Sequence, residues 1–179
     1  MTSREAPAGA RPSLDVVIED LAFVEVEALA RPVTATMGAT TALLRRLELA
    51  AGPALDALLR SDEPLAVGAA VVTGAGALKA ELLIHAVVSS RDERATADTV
   101  RRATLSALQR AEAFGVTHLA MPPFGLGAGN LDPEGSAAAM GEALRAHARG
   151  ARLPERVTIV VETEDERMAF NALAARVHA

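Results

Sequence analysis

The residues best placed to do chemistry are Gly125, Leu126, Gly127, Ala128, Gly129 and Asn130, set between Met121-Pro122-Pro123-Phe124 and Leu131-Asp132-Pro133. Glycines at alternate positions leave the backbone bare, so that N–H groups approach a ligand with no Cβ in the way. An apolar run over 116–121 leads into the segment, and a helical pattern over 133–149 follows it. The glycines therefore fall in a strand-to-helix turn with a helix N-terminus behind them, an arrangement suited to phosphate. A tight turn with no ligand uses the same residues, and G-x-G-x-G alone does not separate the two. The preceding buried strand and the two prolines favour phosphate.

Other polar residues carry weaker signals. Asp20 directly follows the first apolar run, where a carboxylate accepts from an exocyclic amine or caps a turn; capping is the commoner use. His85 lies in Leu83-Ile84-His85-Ala86-Val87 and reads as a buried, hydrogen-bonded core histidine. His118 precedes a strand interior, and His147 and His178 lie on helical segments without a partner at ligand spacing, so no metal is expected. Gly74-Ala75-Gly76 lacks the third glycine of a dinucleotide fingerprint and leads into a strand. The acidic run Glu162, Glu164, Asp165, Glu166 opens a helix and is explained by the helix dipole. No G-x-S-x-G and no P-loop is present, no catalytic residue is assigned and no cofactor is called for.

These residues need elements to position them. Apolar runs over 14–19, 68–73, 82–89, 116–121 and 156–162 read as strands, with a shorter extended piece over 26–30 stopped by Arg31-Pro32. Helical spacing covers 40–51, 54–60, 95–114, 133–149 and 164–177. The runs around Val71 and Ile84 are joined by a short glycine-containing turn and no helix, which predicts an antiparallel pair. Strands alternating with helices in the later half predict helices on both faces of the sheet. The expectation is one α/β domain with a mixed sheet over 14–179, preceded by a flexible Ala/Gly/Pro-rich tail over 1–13.

Composition narrows the function classes. The 179 residues are 50% hydrophobic but include only four aromatics, all Phe, so the core is aliphatic and base stacking on an aromatic platform is poorly supported. A net charge of −5 without a basic block argues against a nucleic-acid surface. The absence of cysteine removes disulfides, thiolate catalysis and Cys-ligated zinc. No apolar run reaches membrane-spanning length and the N-terminus lacks a signal-peptide core, so no membrane partner and a cytoplasmic location are expected. Oligomeric state is not legible.

Several segments together resemble the macro domain family. Gly68-Ala69-Ala70-Val71-Val72-Thr73-Gly74-Ala75 and Val87, with Ile84-His85 before it, are similar to its G-x-A-x-x-T-x-G strand and following V-I-H-x-V strand. Residues 119–127 resemble its A-F-P-A-containing loop, Asp20-Leu21 the end of a G-D-I motif, and Ala50-Ala51-Gly52-Pro53 an A-A-G-P helix end. The resemblance implies a three-layer α/β/α sandwich with a mixed central sheet and a site for ADP-ribose or a related nucleotide. By position, it implies Asp20 on the adenine amine with the Leu21 backbone beside it. Gly125, Leu126, Gly127, Ala128, Gly129 and Asn130 would wrap the diphosphate and distal ribose, and Gly38 would lie in the other phosphate loop.

The same alignment exposes departures. The family's N-A-A-N falls on Arg31-Pro32-Val33-Thr34, so Thr34 replaces the Asn that orients the distal ribose. Its first glycine loop falls near Met37-Gly38-Ala39-Thr40 and keeps one glycine; Leu126 replaces a Thr, Glu19 a Gly, and no aromatic follows the strand over 156–162. Arg31 either turns into the pocket, to a phosphate or a carboxylate such as Asp20, or faces solvent, the commoner place for arginine. Three functions fit: a binder of ADP-ribose or a related nucleotide diphosphate with weak or no hydrolysis; an ADP-ribosyl hydrolase or O-acetyl-ADP-ribose deacetylase with non-standard groups; or a ligand-free structural, oligomeric protein.

Overall fold

The computed structural model describes residues 12–59, 63–127 and 130–177. The tail expected over 1–13 falls mostly outside them, but Ser13 already belongs to the first strand. The strands are β1 (Ser13–Ile18), β2 (Ala28–Thr34), β3 (Ala70–Gly74), β4 (Leu82–Ser89), β5 (His118–Met121) and β6 (Arg156–Val161). The helices are α1 (Ala42–Ala51), α2 (Pro53–Leu58), α3 (Ala97–Ala113), α4 (Pro133–Ala148) and α5 (Glu164–Val177), with a single 3-10 turn at Leu21–Phe23. The sheet runs β1-β6-β5-β2-β4-β3. Its ladders are parallel except β3–β4, where Val71 opposes His85 and Val72 opposes Ile84, the antiparallel pair that the short turn implies.

Strand alternation sorts side chains into two cores. Leu29, Leu83, Ala120 and Val160 face Leu43, Leu44 and Leu47 of α1. Ala30, Ile84, Leu119 and Ile159 face the other way, onto Val100, Ala103 and Ala107 of α3, Met140 of α4 and Phe170 of α5. The result is a three-layer α/β/α sandwich. Alanines dominate the α3–sheet contact, which fits a chain with so few aromatics. α3 ties down the chain entering the edge strand β3: Arg102, Ser106 and Arg110, four residues apart, donate to the carbonyls of Val67, Gly68 and Ala70 at 2.9, 2.6 and 3.0 Å.

One element departs from the sequence expectation. Arg31-Pro32 does not stop β2, which continues to Thr34. β2 is laddered to β5 only at Ala28 and Leu29, so beyond that point it has a strand partner on one side alone, a setting that tolerates proline.

Candidate functional site

With β1, β6, β5, β2 and β4 parallel, their carboxyl ends share one edge of the sheet, where ligands bind in open α/β folds. The topology gathers there Asp20 after β1, Thr34 and Gly38 after β2, the glycine segment after β5 and Glu162 after β6. A small cavity of ≈ 70 Å³ opens at this edge beside the glycine segment and Glu162, walled by Thr41, Leu44, Leu126, Val160, Glu162 and Glu166 among others; Asp20, Thr34 and Gly38 do not line it.

Each predicted residue among those described has a definite place. Asp20 is exposed and its Oδ1 accepts from the Ala22 N–H at 3.0 Å, capping the 3-10 turn, while Oδ2 has no hydrogen-bond partner among the described residues. Leu21 is fully buried on the α1 side. Thr34 and Gly38 close a tight turn: Thr34 Oγ1 accepts the Gly38 N–H at 3.0 Å, and the Thr34 N–H donates to the Gly38 carbonyl at 3.0 Å. The Gly38 amide is thereby already committed, and Met37 beside it adopts φ 67°. Gly125 (φ 79°) and Gly127 (φ 130°) form the turn after β5, with the Asn130 and Leu131 N–H groups donating to the carbonyls of Gly127 and Gly125. Gly125 is required by packing as well as by its backbone, since a Cβ there would lie 2.5 Å from Val100 Cγ2. Ala128 and Gly129 lie outside the described residues.

The positive helix end near this cleft is not the one the glycine pattern points to. Asp132 caps α4 by accepting the Gly135 N–H at 2.7 Å, and Glu134 sits in its first turn, so that terminus already has anions of its own. α1 has no acidic residue in its first turn, and Thr41 satisfies only the Leu44 N–H with its side chain. Arg46 of α1 reaches across to Glu162 at 2.5 Å, tying α1 to the end of β6 over this edge. Glu166 accepts the Glu162 N–H at 2.8 Å. Sequence reading missed Arg46 and gave Glu162 and Glu166 only a helix-dipole role. The one available signal was an Arg45-Arg46 pair inside an otherwise apolar helix pattern.

Arg31 does not face solvent. Its side chain is fully buried on the α1 side, where NH1 meets Glu48 Oε1 at 2.5 Å and NH2 lies 3.5 Å from the Met37 carbonyl; the carboxylate it finds is not Asp20. Its Nε–H donates to Nδ1 of His85, its direct neighbour across the β2–β4 ladder, at 2.9 Å. The neutral ring then carries its proton on Nε2, which donates to Thr73 Oγ1 at 2.8 Å, and the Thr73 hydroxyl donates to the Gly74 carbonyl at 2.9 Å. This polar seam divides the α1-side apolar layer into the cluster around Leu29 and Leu83 and a smaller one around Val33, Met37 and Val87. Burial lowers the Arg31 guanidinium from its usual value, opposed by Glu48. Burial, with the Arg31 charge beside it, pushes His85 down to about 3, so His85 is a neutral structural group.

His118 bonds Thr158 Oγ1, and His147 Nε2 donates to the Leu153 carbonyl at 2.7 Å. Among the described residues no cluster of three or more His, Asp or Glu could hold a metal, and no helix is long and apolar enough to cross a membrane.

Fold and edge-loop geometry together define an α/β/α domain with a cleft at the carboxyl ends of its strands. The macro domain family profile matches residues 35–140, more than half of the chain, and the chain belongs to that family. An uncharacterized protein of Mycobacterium tuberculosis is 27% identical over 159 residues, covering 89% of this chain; the chain spans only 44% of that relative's length. An O-acetyl-ADP-ribose deacetylase of Enterobacter sp. is 28% identical over 169 residues, 91% of this chain and 94% of its own. Among solved structures, the Oceanobacillus iheyensis macrodomain with ADP superposes with a TM-score of 0.81 at 15% identity, covering 92% of this chain and 91% of that one. The Trypanosoma brucei macrodomain in complex with ADP gives 0.77 at 16% identity, covering 90% and 68%.

Proposed function

We propose that the protein binds ADP-ribose or a related nucleotide diphosphate at the carboxyl edge of the sheet and hydrolyses it weakly or not at all. The observation that carries the reading is the convergence, at one edge, of Asp20, the Gly125–Gly127 turn and the uncompensated N-terminus of α1. Free Oδ2 of Asp20 is suited to an exocyclic amine, and the α1 N–H groups and the bare backbone at Gly127 to phosphate oxygens. Macrodomains of the same fold hold ADP, which supports the ligand class.

The cavity at this edge is far smaller than the roughly 300–1,000 Å³ of ordinary ligand pockets, so binding requires it to widen. The Arg46–Glu162 pair is the element to release. Its side chains are 53% and 43% exposed, and such surface pairs contribute about 0–1 kcal/mol, so opening costs little. Arg46, once freed, is positioned on α1 to meet a phosphate.

The deacetylase reading draws on the Enterobacter relative. Against it, Thr34 stands at the distal-ribose position with its oxygen accepting from Gly38, and the carboxylates Glu162 and Glu166 are engaged with Arg46 and a backbone N–H. Calorimetric titration with ADP-ribose, joined to an acetate-release assay on O-acetyl-ADP-ribose, tests both. Saturable binding with little or no acetate release is expected. No binding of ADP-ribose or ADP up to about 1 mM, a ΔG° near −4 kcal/mol, would remove the binding reading. Release at an ordinary enzyme's rate would replace it with the deacetylase.

A further inference from the structure

At the opposite edge of the sheet, where β1 and β6 begin, lies a cavity of ≈ 450 Å³. Its floor is apolar and belongs to the main core: Leu14, Leu108 and Val157. Its rim carries Arg145 of α4, Arg149 just after that helix and Arg176 of α5, all exposed. Among the described residues no Asp or Glu lines it. The three rim arginines make no ion pair among the described residues, as is also true of exposed Arg45, Arg91, Arg94 and Arg152, but only these three stand together around one cavity. Arginine at a helix C-terminus complements the dipole, which accounts for positive charge on these last turns. It does not account for an open cavity with an aliphatic floor beneath that charge. His147 stands in the wall with its ring fixed by the Leu153 carbonyl.

We propose that this cavity is a second binding site, separate from the nucleotide cleft, for a small amphipathic anion: a carboxylate or phosphate head on an aliphatic or aromatic body. Guanidinium groups present a planar fork of donors that matches both heads. The leucines and valine below exclude water from an apolar body, and the volume lies within the range of sites that enclose small organic molecules.

The test is an NMR titration of the isotope-labelled full chain with octanoate, octyl phosphate, octanol and inorganic phosphate. Octanoate or octyl phosphate is expected to give saturable shifts at the amides of Leu14, Arg145, Arg149, Val157 and Arg176, and the tighter of the two assigns the head. Octanol and inorganic phosphate are expected to bind at least tenfold more weakly, since each lacks one half of the recognised chemistry. Arg145→Gln with Arg176→Gln should weaken the anion at least tenfold while leaving the rest of the spectrum in place, because both side chains are exposed. Saturating ADP-ribose should not displace it. Absence of saturable shifts at those amides overturns the proposal. So does octanol or inorganic phosphate binding as tightly as the anion, an unchanged affinity in the double variant, or displacement by ADP-ribose.

Discussion

Removing Glu48 should expose how the buried Arg31 charge is held. Glu48→Ala leaves a fully buried guanidinium with one good partner, His85 Nδ1, and a carbonyl at 3.5 Å. Removing one partner of a buried ion pair costs roughly 3–5 kcal/mol. The Glu48 side chain is 24% exposed, so water reaches the vacated side and the low end applies, about 3 kcal/mol. For a chain of this size that lowers the melting temperature by about 6–12 °C. Arg31→Met keeps most of the volume, removes the charge and leaves His85 Nδ1 as a buried unpaired acceptor, which costs about 2 kcal/mol. The double variant buries no charge and retains only that acceptor, so it should lie about 2 kcal/mol below the wild type, not the roughly 5 of independent effects. Arg31→Met is thus expected to destabilise the wild type but to stabilise Glu48→Ala by about 1 kcal/mol. Urea unfolding of the four proteins at neutral pH measures this cycle. If Arg31→Met destabilises the Glu48→Ala protein as much as it does the wild type, the pair is not what holds the charge in the core.

Four further outcomes are expected. His85 falls from 6.5 in the unfolded chain to about 3, so the unfolded state takes up the proton first. Its contribution is fully present above pH 6.5 and is lost on acidification by about 1.4 kcal/mol per pH unit, visible in urea midpoints from pH 6.5 to 4.5 and flattened in His85→Gln. Gly125→Ala combines a left-handed backbone with a clash on Val100 and should cost roughly 2–4 kcal/mol, partly recovered by Val100→Ala, by thermal melts. Asp20→Ser, which keeps a turn-capping oxygen, should weaken ADP-ribose by about 1–3 kcal/mol by calorimetry, and unchanged affinity would take Asp20 out of the site. Glu162→Gln frees Arg46 and removes a negative charge from the cleft, so ADP-ribose affinity should rise severalfold, and a fall would show that the pair supports the site instead of closing it.

The sheet and its helices were largely legible because they rest on local pattern: the apolar runs around Val71 and Ile84 with the short turn between them, and the Gly125 turn, needed only neighbours in sequence. What was not legible depends on distance along the chain. Arg31 gave no sign of burial because its partners Glu48 and His85 lie 17 and 54 residues away. Continuation of β2 through Pro32 depended on where β5 stops, which no local window contains. The Arg46–Glu162 tie spans 116 residues, and sequence reading could assign Glu162 only to the helix beside it. The glycine turn itself was placed correctly, but the competing claim of Asp132 on the α4 N-terminus shows only when the cap geometry is seen.

The Arg31–Glu48–His85 arrangement also decides which substitutions β2 tolerates. Exchange of Arg31 alone for asparagine would leave His85 or Glu48 without the donor that the guanidinium supplies. A short amide does not reach both an adjacent strand and a helix. Positions 31 and 48 are therefore coupled: loss of the carboxylate at 48 is better tolerated once the guanidinium at 31 has gone. What position 48 tolerates is thus set by what stands at 31, a constraint that folding stability imposes independently of any ligand.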